Sequence, residues 1–595
     1  MMRRVWFIVA ALLCMFVLAA LFTPWRDMTS AAKNYVAWRV QAGKPNQADV
    51  MIPMADGVRL ATDVYLPSAQ GALPTVLMRL PYGKRSYGEV RFWVDKLTRR
   101  GFVVVAQDMR GRHGSEGVFA PYPHAGSDGV ATLDWITAQP WSNGRVGTLG
   151  CSALGEAQLM LAAQAHPAHR AMVPIAAGGA IGSLDGSHSY FSTFEGGVFG
   201  LATGAGWFGE QGGKTPARSG AIPTDPARAL PHLPLIDVVR QMRSDSTDYE
   251  AFLMSFENSD FWRNAGYVTG AEPFATPALF IDTWHDPGIR STLQLAQAVA
   301  QKAVETRTII AAGTHCGYLG SDQDTLVGDL AVELEVPFGF VETIISFLSQ
   351  HLADGPALEL PELSYFSLVE NKWRGASDWP PKGAEEVSFY LSEGQVLDSQ
   401  HPTEETQAWQ FRSDPMNPVP SVGGALCCTG DPDALEGPVF QNSIEGRDDL
   451  LLFTSAPFKN LLLLAGPIRA TLQVSADVLD TDLVLRLTDV DPQGRSLLLQ
   501  EGALRMRYRA GVEHPELMEP GQTYGVTIEM RDIAYLLRAG HRLRLHVAGS
   551  SFPRLERNLN TGGANWDETQ GISANITIHS DAARPSSVTV YVLDE

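Results

Sequence analysis

Gly150-Cys151-Ser152-Ala153-Leu154-Gly155 sets a serine between two glycines, after the apolar run Arg145-Val-Gly-Thr-Leu149 and before Glu156-Ala-Gln-Leu-Met-Leu-Ala-Ala-Gln164. The first run reads as a short buried strand and the second as a helix. A sharp turn between them pushes one side chain into a strained, exposed position, and glycines keep neighbouring Cβ atoms clear of it. A hydroxyl presented there, above a helix N-terminus that favours developing negative charge, suits nucleophilic acyl transfer. The second glycine stands three residues after the serine, not two, and Ser152 by itself reads equally well as an N-cap.

The residues that follow answer that ambiguity. The apolar strand Ala278-Leu-Phe-Ile-Asp282 ends in Thr283-Trp284-His285-Asp286-Pro287-Gly288, and Thr308-Ile-Ile-Ala-Ala312 ends in Gly313-Thr314-His315-Cys316-Gly317. Each polar candidate stands just past the C-terminal end of a strand, where open parallel sheets build their sites. Taken singly, Asp286 before Pro-Gly is a turn aspartate and His315 among glycines a loop residue. Together they give the chain order Ser, Asp, His that is expected of α/β-hydrolases.

Two further strands fit the same sheet. Pro74-Thr-Val-Leu-Met-Arg-Leu80 leads into Pro81-Tyr82, the region that supplies a second oxyanion donor in such folds, and a phenol O–H serves there as well as a backbone N–H. The alternative use of Tyr82 is packing on the sheet edge. Gly101-Phe-Val-Val-Val-Ala-Gln107 leads into Asp108-Met-Arg110, read as an ion-paired loop scaffold with no part in the chemistry.

Met54-Ala-Asp-Gly57, Arg59-Leu-Ala-Thr-Asp-Val-Tyr-Leu-Pro67, Pro81-Tyr82, Asp108-Met-Arg-Gly-Arg112, Gln139-Pro-Trp141 and Gly144-Arg-Val-Gly147, followed by Trp284-His-Asp286 and Gly313-Thr-His315, resemble the cocaine esterase and X-Pro dipeptidyl-peptidase hydrolases. The resemblance runs from about residue 48 through Leu479-Asp-Thr-Asp-Leu483, Thr488-Asp-Val-Asp-Pro492, Ser551-Phe-Pro-Arg554 and Asn560-Thr-Gly-Gly563. It implies Ser152 as nucleophile, Asp286 and His315 as its partners, and Tyr82 with the Ala153 amide as oxyanion donors. Where the family has Tyr after the nucleophile this chain has Ala153, which spares the amide and changes the pocket beside the serine. The family's Trp-Tyr-Asp becomes Trp284-His285-Asp286, and His285 is expected to be structural or to face the pocket.

Composition bounds the reading. With 595 residues, two or three domains are expected, and 66 acidic against 46 basic side chains, a net charge of −20, argue against a nucleic-acid partner. No CxxC, HExxH, P-loop or dinucleotide fingerprint occurs, so neither a cofactor nor a metal is expected. Cys14, Cys151, Cys316, Cys427 and Cys428 do not read as a disulfide framework. Cys151 and Cys316 are expected to be small buried filler, and the vicinal pair Cys427-Cys428, in a Gly- and Pro-rich loop, leaves a redox or metal function open.

Paired Arg3-Arg4 precede an apolar run from Val5 to Phe22, close to the roughly 20 residues that span a bilayer. Residues 1–30 are therefore expected to be a membrane anchor, or else a signal segment, with the catalytic part outside the cytoplasm, and 31–48 a linker. The α/β-hydrolase core is placed at 49–177 and 276–360, with a helical cap inserted at 178–275. Short alternating strands from 361 to 595, such as Ala470-Thr-Leu-Gln-Val-Ser475 and Arg542-Leu-Arg-Leu-His-Val547, predict an all-β sandwich, which the resemblance makes a jelly roll. The expected function is serine hydrolysis of a small-molecule ester, amide or short peptide, with Trp284, Glu195 and Tyr190 as candidate substrate contacts. An exported X-Pro dipeptidyl aminopeptidase, with Glu195 holding the substrate's α-ammonium, and a non-catalytic binding protein on the same scaffold are the competing readings.

Overall fold

The computed structural model of the chain describes residues 44–120, 123–178, 192–213, 225–243, 247–334, 336–403, 407–564 and 566–594. The apolar N-terminal run, Cys14 and Tyr190 lie outside the described residues, and among those described no helix is long and apolar enough to cross a membrane.

Ten strands form the first sheet: β1 (Gln47–Pro53), β2 (Arg59–Tyr65), β3 (Leu73–Leu80), β4 (Val103–Asp108), β5 (Ser142–Cys151), β6 (His169–Ile175), β7 (Ala278–His285), β8 (Thr306–Thr314), β9 (Leu363–Ser367) and β10 (Lys372–Ala376). Their order is β1-β2-β4-β3-β5-β6-β7-β8-β9-β10. The pairs from β4 through β9 are parallel, and β1, β2 and β10 join antiparallel at the two edges. Parallel strands are covered on both faces, which is why β4 and β7 are buried along their whole length and why each opens as an apolar run, Val103-Val-Val-Ala106 and Ala278-Leu-Phe-Ile281, before its polar C-terminal end. Helices α1 (Gly88–Thr98) and α6 (Phe340–Leu352) pack Trp93, Leu97, Ile344 and Phe347 on one face. On the other, α2 (Ala125–Thr137), α3 (Ala153–Ala162) and α5 (Ile289–Ala300) contribute Leu133, Leu159, Met160 and Leu295.

The sheet extends past the boundary expected at residue 360. β9 pairs in parallel with β8, Ile309 opposite Ser364, and β10 closes that edge, so the first two strands assigned to the sandwich belong to the hydrolase sheet. The second sheet begins at Ala384–Ser392 and has 13 strands, almost all antiparallel, ending with Ser587–Leu593. Between β6 and β7 the chain forms the cap, with α4 (Leu201–Gln211) and short helices at Val238–Met242, Tyr249–Met254 and Ser259–Asn264. Phe194 and Phe199 pack inside it, with Phe194 stacked on Phe256.

The β domain is fastened to the cap, where the Tyr508 hydroxyl donates to Glu257 at 2.7 Å, and to the hydrolase core. Trp284 of β7 is fully buried, donates to the Phe366 carbonyl at 2.7 Å and packs on Trp379. Gln500 of the β domain donates to the Trp284 carbonyl at 2.7 Å. The candidate substrate contact Trp284 is thus a core residue at a domain junction. Its large apolar ring is removed from water on every side, where it contributes packing and not recognition.

Candidate active site

β5 ends at Cys151 and α3 begins at Ala153, leaving Ser152 alone in the turn at φ 60°, ψ −126°. A positive φ in a non-glycine residue stores strain, and hydrogen bonds hold it here. Ser152 N–H donates to the Ile175 carbonyl at 2.8 Å and its own carbonyl accepts from Glu156 at 2.9 Å. A Cβ at Gly150 would lie 2.5 Å from that of Leu154, and one at Gly155 2.4 Å from that of Ala177. Both glycines are therefore required by close approach, and the late position of the second lets α3 pack tightly on the loop after β6. Ser152 makes no side-chain capping bond, so the N-cap use is set aside.

The turn after β7 carries Asp286 and the one after β8 carries His315. Asp286 Oδ2 is 2.6 Å from His315 Nδ1, and its Oδ1 accepts from the Gly288 N–H at 2.6 Å. Burial pulls the His315 imidazole down, but the Asp286 carboxylate beside it outweighs burial and raises its pKa, with Cys428 and Asp282 adding to the effect. His315 Nε2, on the far side of the ring, is buried and has no hydrogen-bond partner among the described residues. Ser152, Asp286 and His315 line one cleft of about 630 Å³, counting space open to solvent, together with Ala153, Trp207, Phe208 and Phe252.

Tyr82 follows β3, packs on Tyr87, and accepts a 3.1 Å hydrogen bond from Trp207 Nε1 on cap helix α4. Burial raises its phenol pKa, and the Ser152 side chain is among its hydrogen-bond partners. The phenol thus stays protonated beside the serine. Ala153 lines the cleft, and its amide belongs to the first turn of α3, whose leading N–H groups have no acceptor within the helix.

Other expectations are corrected. Cys151 and Cys316 are not separate filler: they form a disulfide with Cα atoms 6.0 Å apart, linking the residue before Ser152 to the residue after His315. Glu195 does not reach this cleft. It is held by Arg531 and Arg554, each at 2.9 Å, and lines a neighbouring cavity. Burial opposes its ionisation, yet the two guanidiniums hold its pKa below the ordinary carboxylate value. A carboxylate neutralised in that way has little left for an ammonium group. His285 is buried and neutral, its pKa pulled down to about 4 by burial. Asp108 and Arg110 are scaffold as expected but not each other's partners. Asp108 pairs with Lys84 at 2.9 Å, and Arg110 with Asp128 at 2.7 Å and Asp56 at 2.6 Å.

Three features of the site escaped the sequence reading. Trp207 of α4 donates to the Tyr82 hydroxyl and holds it, a contact between cap and core that no local pattern shows. Glu89, at the start of α1, accepts the Cys151 N–H at 3.0 Å beneath the serine, and burial raises its pKa to about 7. Cys427 and Cys428 line the cleft, brought there because Gly206 of α4 presses against their loop: a Cβ at Gly206 would lie 2.4 Å from the Cys428 carbonyl oxygen.

Residues 56–317 match the family model of the X-Pro dipeptidyl-peptidase (S15 family), and residues 357–589 that of the X-Pro dipeptidyl-peptidase C-terminal non-catalytic domain. The cocaine esterase of Rhodococcus sp. (strain MB1 Bresler) is 31% identical over 584 residues, covering 92% of this chain and 98% of that one. The fold is shared with an aminopeptidase from a marine sediment Thaumarchaeota archaeon, TM-score 0.81 at 23% identity, covering 93% of this chain and 98% of that one. An α-amino acid ester hydrolase superimposes with TM-score 0.77 at 24% identity and the same coverage. On these matches the chain belongs to the cocaine esterase and X-Pro dipeptidyl-peptidase family of serine hydrolases.

Proposed function

We propose that the enzyme opens the carbonyl of an ester through an acyl-enzyme. Ser152 Oγ attacks the carbonyl carbon while His315 Nε2 takes its proton, and Asp286 keeps the Nδ1–H tautomer and stabilises the imidazolium. The Tyr82 hydroxyl and the Ala153 N–H donate to the oxyanion. His315 then protonates the leaving oxygen. A water, deprotonated by the same imidazole, adds to the acyl carbon and releases the acid with Ser152 restored. The observation that carries this reading is the meeting of Asp286, His315 and Ser152 from three separate strand ends in one cleft, with Tyr82 from a fourth strand end beside the Ser152 side chain.

The aromatic walls at Trp207, Phe208 and Phe252 favour an apolar acyl or leaving group. Neutralisation of Glu195 by two arginines weighs against the dipeptidyl aminopeptidase alternative, since it removes the carboxylate offered for the α-ammonium. A fluorophosphonate probe tests the enzyme reading. Labelling that disappears in Ser152→Ala supports it, and folded protein that takes no label favours a binding protein. p-Nitrophenyl esters turned over far faster than Xaa-Pro arylamides would support the esterase, and the reverse order the aminopeptidase.

We also propose that the apolar run Val5–Phe22 anchors the enzyme with its catalytic part outside the cytoplasm. The Cys151–Cys316 disulfide supports this placement, because such bonds persist in oxidising compartments. Full-length protein should then sediment with membranes and resist salt washing, and removal of residues up to Trp25 should give active soluble enzyme. A mature N-terminus mapped just after the run would replace the anchor with a signal peptide.

A further inference from the structure

Cys427 and Cys428 Sγ and a ring nitrogen of His315 lie within 4.8 Å of one another. His315 Nδ1 is committed to Asp286 at 2.6 Å, so the nitrogen open to the two sulfurs is Nε2, which is buried without a partner among the described residues. Both cysteines are free thiols that line the cleft. Cys151 and Cys316 also approach His315, but their sulfurs are consumed in the disulfide. Two thiols and one imidazole, with a carboxylate on the far ring nitrogen, form a three-ligand set for a soft divalent cation with its outer partner already in place.

We propose that Cys427, Cys428 and His315 bind one Zn²⁺ or Cd²⁺ ion, and that this ion switches the enzyme off by occupying the nitrogen that would serve as its base. The binding claim stands on the geometry alone, and the switch rests on the hydrolase reading above. Each thiol releases its proton to solvent as its sulfur coordinates, and the Nε2 proton of the imidazolium leaves in the same way before that nitrogen can bind. The imidazole coordinates through the Nε2 lone pair with Asp286 still accepting from Nδ1–H, and water fills the fourth position. Tetrahedral bonds of about 2.3 Å to sulfur bring the sulfurs to roughly 3.7 Å apart, so small side-chain rotations close the site.

The test is a Cd²⁺ titration of the chelator-treated full-length protein, followed by the thiolate-to-metal charge-transfer band in the ultraviolet and by p-nitrophenyl ester turnover. One ion per chain is expected, with the band rising as turnover falls and EDTA reversing both. In the double variant Cys427→Ala/Cys428→Ala the band should vanish and half-inhibition should need at least about 10-fold more Cd²⁺. Should that variant not fold, reversible capping of the two thiols with a methanethiosulfonate must abolish the band in the native chain. Asp286→Asn should weaken binding by about 10- to 100-fold, the usual effect of losing such a partner. Ser152→Ala must keep the band, which separates failure of the metal site from failure of the serine mechanism. Absence of the band in the native chain, or its persistence after the thiols are removed, overturns the site. A full band with undiminished turnover overturns the switch.

Discussion

Cys151 and Cys316, separated by 165 positions in the chain, are joined by a disulfide that ties the strand end carrying Ser152 to the one carrying His315. Serine and imidazole are thereby held to each other through the chain as well as through packing. Closing so long a loop is worth about 5 kcal/mol in the chain-entropy description, where measured values span roughly 0 to 5. Cys151→Ala/Cys316→Ala should lower the melting temperature and reduce kcat more than it changes KM, because the distance between nucleophile and base is what loosens. Equal kcat in the variant would make the bond a matter of stability alone.

Ser152→Ala should leave the fold intact and lower ester turnover on the order of 10⁴- to 10⁶-fold. The side chain is half-buried and lines the cleft, and its hydroxyl is small, so its loss removes little packing. Circular dichroism and a thermal melt confirm the fold, and near-normal turnover in that variant discards the mechanism.

The strand ends were legible because parallel strands buried on both faces are unbroken apolar runs, and the polar residues that end β5, β7 and β8 stand out against them. Position along the chain does not say which loops meet. That Cys151 reaches Cys316, or that Glu195 is claimed by arginines at positions 531 and 554, depends on pairings made across domains. β9 was read into the wrong sheet for a related reason. A short strand has the same two-residue period whichever sheet it joins, and only its parallel partner β8 decides. Cys427 and Cys428 were visible as a vicinal pair, but their place in the cleft is set by the close approach of Gly206, which no local pattern announces.

Tyr82→Phe should cost kcat about 10²- to 10³-fold with little change in KM, since a donor aimed at the oxyanion gains strength only as the carbonyl becomes tetrahedral. Trp207→Phe removes the indole N–H that donates to the Tyr82 oxygen at 3.1 Å, and should give a smaller loss in the same direction. Adding Trp207→Phe to Tyr82→Phe should then cost almost nothing more, because the hydroxyl it positions is gone. Additive losses in that cycle would assign Trp207 an independent role in the pocket wall.

Glu89 should make the fold less stable as pH rises. Its folded pKa, raised to about 7 by burial, exceeds the ordinary value near 4.5, so the folded state keeps a proton that the unfolded chain releases. Stability should therefore fall between about pH 4.5 and 7. Glu89→Gln still offers an oxygen to the Cys151 N–H and has no charge to bury, so it should flatten that slope. Above pH 7 it should stabilise the protein by about 1 to 3 kcal/mol. Urea denaturation at pH 5 and pH 8 checks both signs.

His315 has its pKa raised, against the pull of burial, chiefly by the Asp286 carboxylate, and the proposed mechanism needs the neutral imidazole. The acid limb of kcat/KM should therefore have its inflection above the ordinary histidine value of about 6.5. The linked stability has the matching sign: the imidazolium–carboxylate pair contributes fully below about pH 6.5 and is lost as pH rises through the folded pKa. Asp286→Asn leaves burial to act with less opposition, so the inflection should move down while kcat falls by about 10⁴ as the tautomer is lost. A pH–rate profile of the two proteins decides. An inflection that does not move would mean that Asp286 does not govern the group being titrated, and the base would have to be sought elsewhere in the cleft.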